Sequence, residues 1–175
     1  MCKKTGGVIL KNKQIKFELN KLVIDTSGFT SSALATLVNE ALLNILGKRL
    51  VELGALQYPD ISAQKLIDEL LDNNPDLAGI GLANLSGQLV LTSLNIERST
   101  LPNLRNTPET SDTFNEALKT KNMVIGRTYY MKALKQWLIP LRYRISNDEG
   151  KVMAVMTTGL KLNDKQNLWS NKNIP

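Results

Sequence analysis

The sequence predicts an α+β fold. A central antiparallel sheet of about five strands carries a long amino-terminal helix on one face and a pocket under a loop and a short helix on the other. Three observations predict it. A broad apolar stripe at helical period runs from Phe29 to Leu56. Two extended runs, Leu77 to Leu85 and Gln88 to Ser93, flank a Ser86-Gly87 turn. Three more extended runs lie end to end between Met123 and Leu162.

Residues 1–28 read as a tail leading into the helix. In the helix, Phe29, Ala33, Leu37, Ala41 and Ile45 recur at helical spacing, with Leu34, Val38, Leu42 and Leu46 beside them. Thr30, Ser31 or Ser32 supplies a cap. Gly47 and Gly54 each cost about 1 kcal/mol relative to alanine, which packing must offset. The stripe is wider than one sheet face needs. Either the helix is wholly intramolecular, or its second side meets a partner helix. Tyr58-Pro59-Asp60 ends it. A second helix runs from Ser62 to Asp72, started by Ser62 and stopped before Pro75.

After the hairpin, Leu94 to Thr110 is irregular and holds Arg98, Pro102, Arg105 and Pro108. A loop this long usually has a task, such as covering a pocket. A short helix, Ser111 to Lys119, follows. The last three strands are Met123–Met131, Gln136–Ile145 and Lys151–Leu162, with Asp148-Glu149-Gly150 as the second turn. In the middle one Trp137, Ile139, Leu141, Tyr143 and Ile145 share one face, while Leu138, Pro140, Arg142 and Arg144 share the other. Pro140 suggests an edge strand or a bulge. Gly79 and Gly81, within a strand, suggest close helix packing.

Composition excludes several classes. At 175 residues and 42% hydrophobic content, a single folded domain is expected. The net charge is +6 and there is no histidine. Without histidine, Ser-His and Cys-His nucleophile pairs are impossible and the commonest metal ligand is missing. Cys2 is the single cysteine, so no internal disulfide forms and the usual zinc sets are excluded. Neither GxxxxGK[ST] nor GxGxxG occurs. No catalytic residue, metal site or cofactor is expected. No apolar run reaches the roughly 20 residues of a bilayer span, and the first 20 residues lack a signal peptide's apolar core.

Positive charge concentrates in two places. Lys3, Lys4, Lys11, Lys13 and Lys16 precede the first acid, Glu18. An acid-free stretch from Ala117 to Asn147 holds Lys119, Lys121, Arg127, Lys132, Lys135, Arg142 and Arg144. A solvated face, an anionic ligand and a nucleic acid are the readings of such stretches. The aromatics sit on apolar strand faces rather than among lysines, which argues against nucleic acid. A continuous strand over 123–131 would set Arg127 and Tyr129 on one face with Met123 and Ile125. Arg142 lies on the next strand. A guanidinium inside a sheet needs an anionic partner. The alternatives are Glu97, Glu109 or Glu116, or a ligand carboxylate or phosphate, with Tyr129, Tyr130 and Trp137 as apolar walls with polar tips. The candidate ligand-binding set is therefore Arg127, Tyr129, Tyr130, Trp137 and Arg142.

From Thr30 to Trp169 the element order resembles the Cache family, the PAS-like extracytoplasmic sensor domains of bacterial transmembrane receptors. The segments that carry it are LAGIGLANLSGQLVLTS at 77–93 and IGRTYY…KQWLIPLRYRI…DEGKVMAVMTTGL within 123–162. These look most like Cache domains of diguanylate cyclases and other cyclic di-GMP signalling proteins. The resemblance implies a non-catalytic sensor domain over 29–169 on the periplasmic side of an inner-membrane protein. It further implies a small-molecule ligand, a homodimer through the long helix, and a tail at 170–175 leading to a next module or membrane span. Amino-acid-binding relatives carry an R-x-W-Y element and a late aspartate. Here Arg127-Thr128-Tyr129-Tyr130 matches the first loosely, and Gly159 stands in place of the second. An anion without an amine fits better than an amino acid. The competing expectation is a structural or dimerisation module with no ligand.

Overall fold

The computed structural model describes residues 31–96 and 101–162, with side chains from residue 40 onward. The tails at 1–28 and 170–175, the helix start at Phe29 and Thr30, and Glu97 and Arg98 lie outside the described residues. The chain divides into two units, Met1–Leu42 and Leu43–Pro175. Of the first, residues 31–42 are described, as the opening turns of helix α1 (Ser31–Glu52).

Helix α1 stops earlier than its apolar pattern suggests, and the cause is Gly54. Its φ is +76°, a left-handed conformation that costs a side-chain-bearing residue about 1–2 kcal/mol. Gly54 N–H donates to the Val51 carbonyl, and Ala55 N–H donates back to Leu50, both at 3.0 Å. This is the paired-bond termination that satisfies the last free carbonyls of a helix. Leu50 and Ala55, which this geometry brings together, are both fully buried. Gly54 is thus a stop signal and not a mid-helix defect. The second helix, α2 (Ile61–Asp72), is capped by Asp60 instead of Ser62: its carboxylate accepts from Ala63 N–H at 2.8 Å.

Strands β1 (Leu77–Ala83) and β2 (Leu89–Thr92) form the first hairpin. Asn84 Oδ1 accepts from Ser86 N–H and Gln88 N–H and fixes the turn. Gly87, with φ +88°, completes it, and a Cβ there would come within 2.8 Å of Arg105 and Asn103. Helix α3 is Pro108–Lys119. It begins three residues before the expected Ser111, because proline fits a first helical turn.

The closing strands are β3 (Val124–Ile125), β4 (Tyr129–Met131), β5 (Gln136–Ser146) and β6 (Val152–Lys161). Sheet order is β2-β1-β6-β5-β3, with β4 also on β5, and all pairs are antiparallel. The expected strand 123–131 is therefore two strands. Val124 faces Arg142 and Tyr129 faces Leu138, so the outer side carries one residue more than β5 does between these pairs. The extra residue is a bulge at Gly126–Thr128. Pro140 lies behind it: its carbonyl accepts from Gly126 N–H at 2.8 Å. A strand residue's nitrogen and carbonyl point to the same side, so the missing Pro140 N–H falls where no strand runs. β5 is internal, and the bulge lies in its neighbour.

Each face of the sheet has its own core. Leu43, Leu46 and Leu50 of α1 and Ile67 of α2 pack with Ile80, Leu82, Leu141, Ile145 and Met156. On the opposite face Phe114 and Ala117 of α3 pack with Ala83, Leu89, Leu104, Val124 and Val155. Gly47 sets the helix-to-sheet distance, because a Cβ there would overlap Ile145 and Met156. Gly79 and Gly81 do not admit a helix, contrary to expectation. They lie on the α3 face, where added Cβ atoms would meet Ile96 and Leu89.

Gly47→Ala therefore sets propensity against packing. Alanine gains up to about 1 kcal/mol as a helix former, while overpacking costs typically 1–3 kcal/mol. Urea denaturation should show a net loss of stability. Gly87→Ala should also destabilise the domain, by at least the ~1 kcal/mol of its left-handed φ, measured the same way.

Candidate functional site

The α3 face of the sheet carries a row of small and polar residues. In register across β2, β1, β6 and β5 stand Thr92, Gly81, Thr157 and Arg142, with Val124 of β3 next. Period-two alternation puts all of these on one face. Beside the row lie Gly79 and Gly159, whose missing side chains keep the sheet surface low. A cavity of about 40 Å³ lies over this surface, lined by Gly79, Gly81, Thr157 and Gly159 below, Tyr129 and Leu138 at one end, and Ile96, Pro102 and Leu104 above. That volume suits waters. Typical small-molecule sites are several hundred Å³.

Arg142 is the unusual member. It is only 1% exposed. One terminal nitrogen donates to the Thr113 hydroxyl of α3. Its Nε is buried with no hydrogen-bond partner. Among the described residues the ion pairs are Arg49–Glu52 and Lys65–Glu69, both exposed, and none involves Arg142. Burial pushes the guanidinium down to about 10, partly offset by attraction to Tyr129. It remains charged at neutral pH. Tyr129 is half-buried, and its phenol is raised, first by burial and also by Glu109, while Arg142 pulls it back. It therefore keeps its proton and is a donor. Thr92 Oγ1, which lines the cavity side of the row, is a second buried polar atom without a partner. Two unsatisfied polar atoms on one face are an invitation to a polar ligand, since each costs about 1–3 kcal/mol left alone.

The candidate set divides. Tyr129 and Arg142 come together on the cavity face, and electrostatic coupling links them. Arg127 does not join them; it stands exposed on the bulge. Tyr130 and Trp137 face the opposite way, paired across β4 and β5. The reason is the two-residue period: Tyr130 adjoins Tyr129, and Trp137 is an odd step from Arg142. Thr92, Thr113 and Thr157 were not anticipated. A signal existed for Thr157, two residues before Gly159 in a strand that alternates, but its partners emerge only from the cross-strand register. The described residues hold no cluster of three His, Cys, Asp or Glu able to bind a metal. No described helix is long and apolar enough to cross a membrane.

No protein-family model matches the chain, and no curated protein does. Solved structures do share its fold. The ligand-binding domain of the Campylobacter jejuni chemoreceptor Tlp3, solved with 4-methylisoleucine, aligns at TM-score 0.56 and 20% identity, covering 90% of this chain and 61% of that one. The ligand-binding domain of Mlp24, solved with asparagine, aligns at 0.52 and 17%, covering 90% and 62%. An extracellular ligand-binding receptor from Desulfohalobium retbaense aligns at 0.55 and 11%, covering 85% and 25%. The chain thus spans about 60% of the length of the Tlp3 and Mlp24 domains. These likenesses establish the α+β fold.

Replacing the buried guanidinium separates a structural role from a reserved one. Arg142→Met gives up the Thr113 bond, worth about 1.5–3 kcal/mol for a charged donor. It also removes a desolvation penalty of several kcal/mol. Urea denaturation of the ligand-free protein should find Arg142→Met as stable as the parent or more stable. A loss of several kcal/mol would make Arg142 a structural cation.

Proposed function

We propose that this chain is a ligand-binding sensor domain of the Cache type, the extracytoplasmic part of a membrane-tethered bacterial signalling receptor. Its ligand is a small anion held on the α3 face of the sheet. The single observation that supports this most is Arg142, a buried cation with a free Nε and no carboxylate partner among the described residues. A ligand carboxylate would accept from Nε and from the Tyr129 hydroxyl. Thr92 Oγ1 would meet a second polar group of the ligand. Apolar Leu89, Leu104 and Leu138 suit a short aliphatic body. Occupancy requires the walls of the 40 Å³ cavity to part. That requirement gives a sensor its signal, because the ligand favours the parted arrangement by its differential affinity. No acid takes the place of Gly159, so the site offers an α-amino group no carboxylate there.

In this reading the domain itself is non-catalytic, works as a homodimer through α1, and passes its state to an output such as a diguanylate cyclase. Alternatively the chain is a structural or dimerisation module without a ligand. The small cavity favours that second reading, and the unsatisfied Arg142 favours the first.

A thermal-shift panel of short aliphatic carboxylates separates the two. At least one should raise the melting temperature of the parent and leave Arg142→Met unmoved; no shift by any anion would sink the sensor reading. The response should also be flat with pH between about 6 and 9. Arg142 is depressed but only to about 10, so it loses its proton above this window, and Tyr129 is raised and keeps its proton within it. With no histidine in the chain, neither Arg142 nor Tyr129 has a neighbour of that kind to switch charge inside that range.

A further inference from the structure

The β4–β5 connection presents a second surface, on the sheet face opposite the cavity. Tyr130 and Trp137 stand across from each other and meet edge to face, with ring centroids 5.7 Å apart and planes at 65°. Both are open to solvent, Trp137 at 56% and Tyr130 at 45%. Leu162, also exposed, follows β6 and lies beside them: its N–H donates to the Trp137 carbonyl at 3.4 Å. Exposed Ile125 continues the same face along the edge, since its partner Leu141 faces the helices. The uncovered end of the sheet is therefore apolar with two polar-tipped aromatics.

Two exposed lysines flank it. A single turn of 3-10 helix, Lys132–Leu134, joins β4 to β5, and Lys135 follows with φ +51°. Lys132 and Lys135 are exposed. Lys161, at the end of β6, directs its Nζ to the Pro75 carbonyl, and its N–H donates to the carbonyl of Asp76. Among the described residues, Asp76 is an acid that this part of the fold brings close. The strands and turn themselves carry none, because Ala117 to Asn147 is acid-free.

We propose that this tip docks on an anionic phospholipid surface. Tryptophan and tyrosine favour the headgroup layer, where an apolar ring and a polar tip are both satisfied. Leu162 and Ile125 would enter the acyl boundary, and the lysines would reach back to phosphate on flexible stems. A protein partner fits less well, because lysine is depleted from protein interface cores. A single-stranded nucleic acid fits less well too. Rings at 65° do not offer two parallel stacking faces, and aliphatic neighbours add nothing to stacking. The inference uses no residue of the cavity face, so it stands or falls apart from the ligand reading.

The test is sedimentation of the full chain with mixed phosphatidylcholine–phosphatidylglycerol vesicles and with phosphatidylcholine alone. Binding should require the anionic lipid and weaken with salt. Lys132→Gln with Lys135→Gln should lower the partition coefficient on the order of tenfold, from the contribution of each surface lysine. Tyr130→Ser with Trp137→Ser should lower it as well; the lysine variant should keep the parent melting curve because both lysines are exposed, and the ring variant should keep the parent circular dichroism spectrum while losing only its cross-strand ring pair. In a Trp169→Phe background Trp137 is the remaining tryptophan, and its emission should shift to shorter wavelength on binding. Three outcomes overturn the proposal. One is no binding to anionic vesicles. Another is equal binding by parent and tip variants, which would assign the effect to other lysines such as those at Lys3 to Lys16. The third is tip-dependent binding to a single-stranded oligonucleotide but not to vesicles.

Discussion

The pairing of β5 with β6 carries the rest of the structure. It is the longest ladder in the sheet, running from Leu138 opposite Lys161 to Ser146 opposite Val152. The other strands are built outward from it: β1 on β6, β2 in turn on β1, and β3 and β4 on β5. Alternation along this ladder sends Leu141, Ile145 and Met156 to the helices and Arg142, Thr157 and Gly159 to the α3 face, where Thr157 and Gly159 line the cavity. A slip of one residue would exchange the two sets and bury polar groups among the leucines of α1. The turn at Asn147 guards against this. Asn147 N–H donates to the Lys151 carbonyl, its side chain accepts from Lys151 N–H, and its carbonyl accepts from Gly150 N–H.

Two unlike cores follow from that one ladder. The helix face is filled by large aliphatics and closed by the contact of Gly47 with Ile145 and Met156. The α3 face is held by Phe114, over which the Arg105 guanidinium lies at 5.7 Å, with smaller aliphatics around it and the low row of Gly81 and Thr157 beside them. Stability is concentrated on the first face, and unsatisfied chemistry on the second. Such a division leaves one layer able to rearrange while the other keeps the fold.

Most of the architecture was legible in the sequence. Element order, both hairpin turns and the two faces of β5 follow from hydrophobic period and turn residues. Boundaries were misread where a local interaction overruled the period. Gly54 ended α1 through its left-handed φ, Asp60 rather than Ser62 capped α2, and Pro108 opened α3. The placement of the candidate residues was legible in part. Arg142 and Tyr129 were found as an arginine and an aromatic in adjacent extended runs. Trp137 could have been excluded from its own parity against Arg142. Arg127 could not, because the single-residue bulge that moves it off the cavity face changes parity without leaving a composition signal beyond Gly126. Thr92 was invisible for a different reason: it reaches Arg142's row only through three strand pairings that no short-range pattern encodes.

That same bulge has a bearing on how copies of this domain meet. A sheet edge invites another strand when it offers an unbroken run of free N–H and carbonyl groups. Here the outer edge is a strand of two residues and a strand of three, separated by Gly126, Arg127 and Thr128. Arg127 and Thr128 project into water at the interruption. An incoming strand would lose register at the gap and would meet a cation there. A single inserted residue thus protects the rim of the sheet from fibril-like stacking and leaves assembly to surfaces made of side chains.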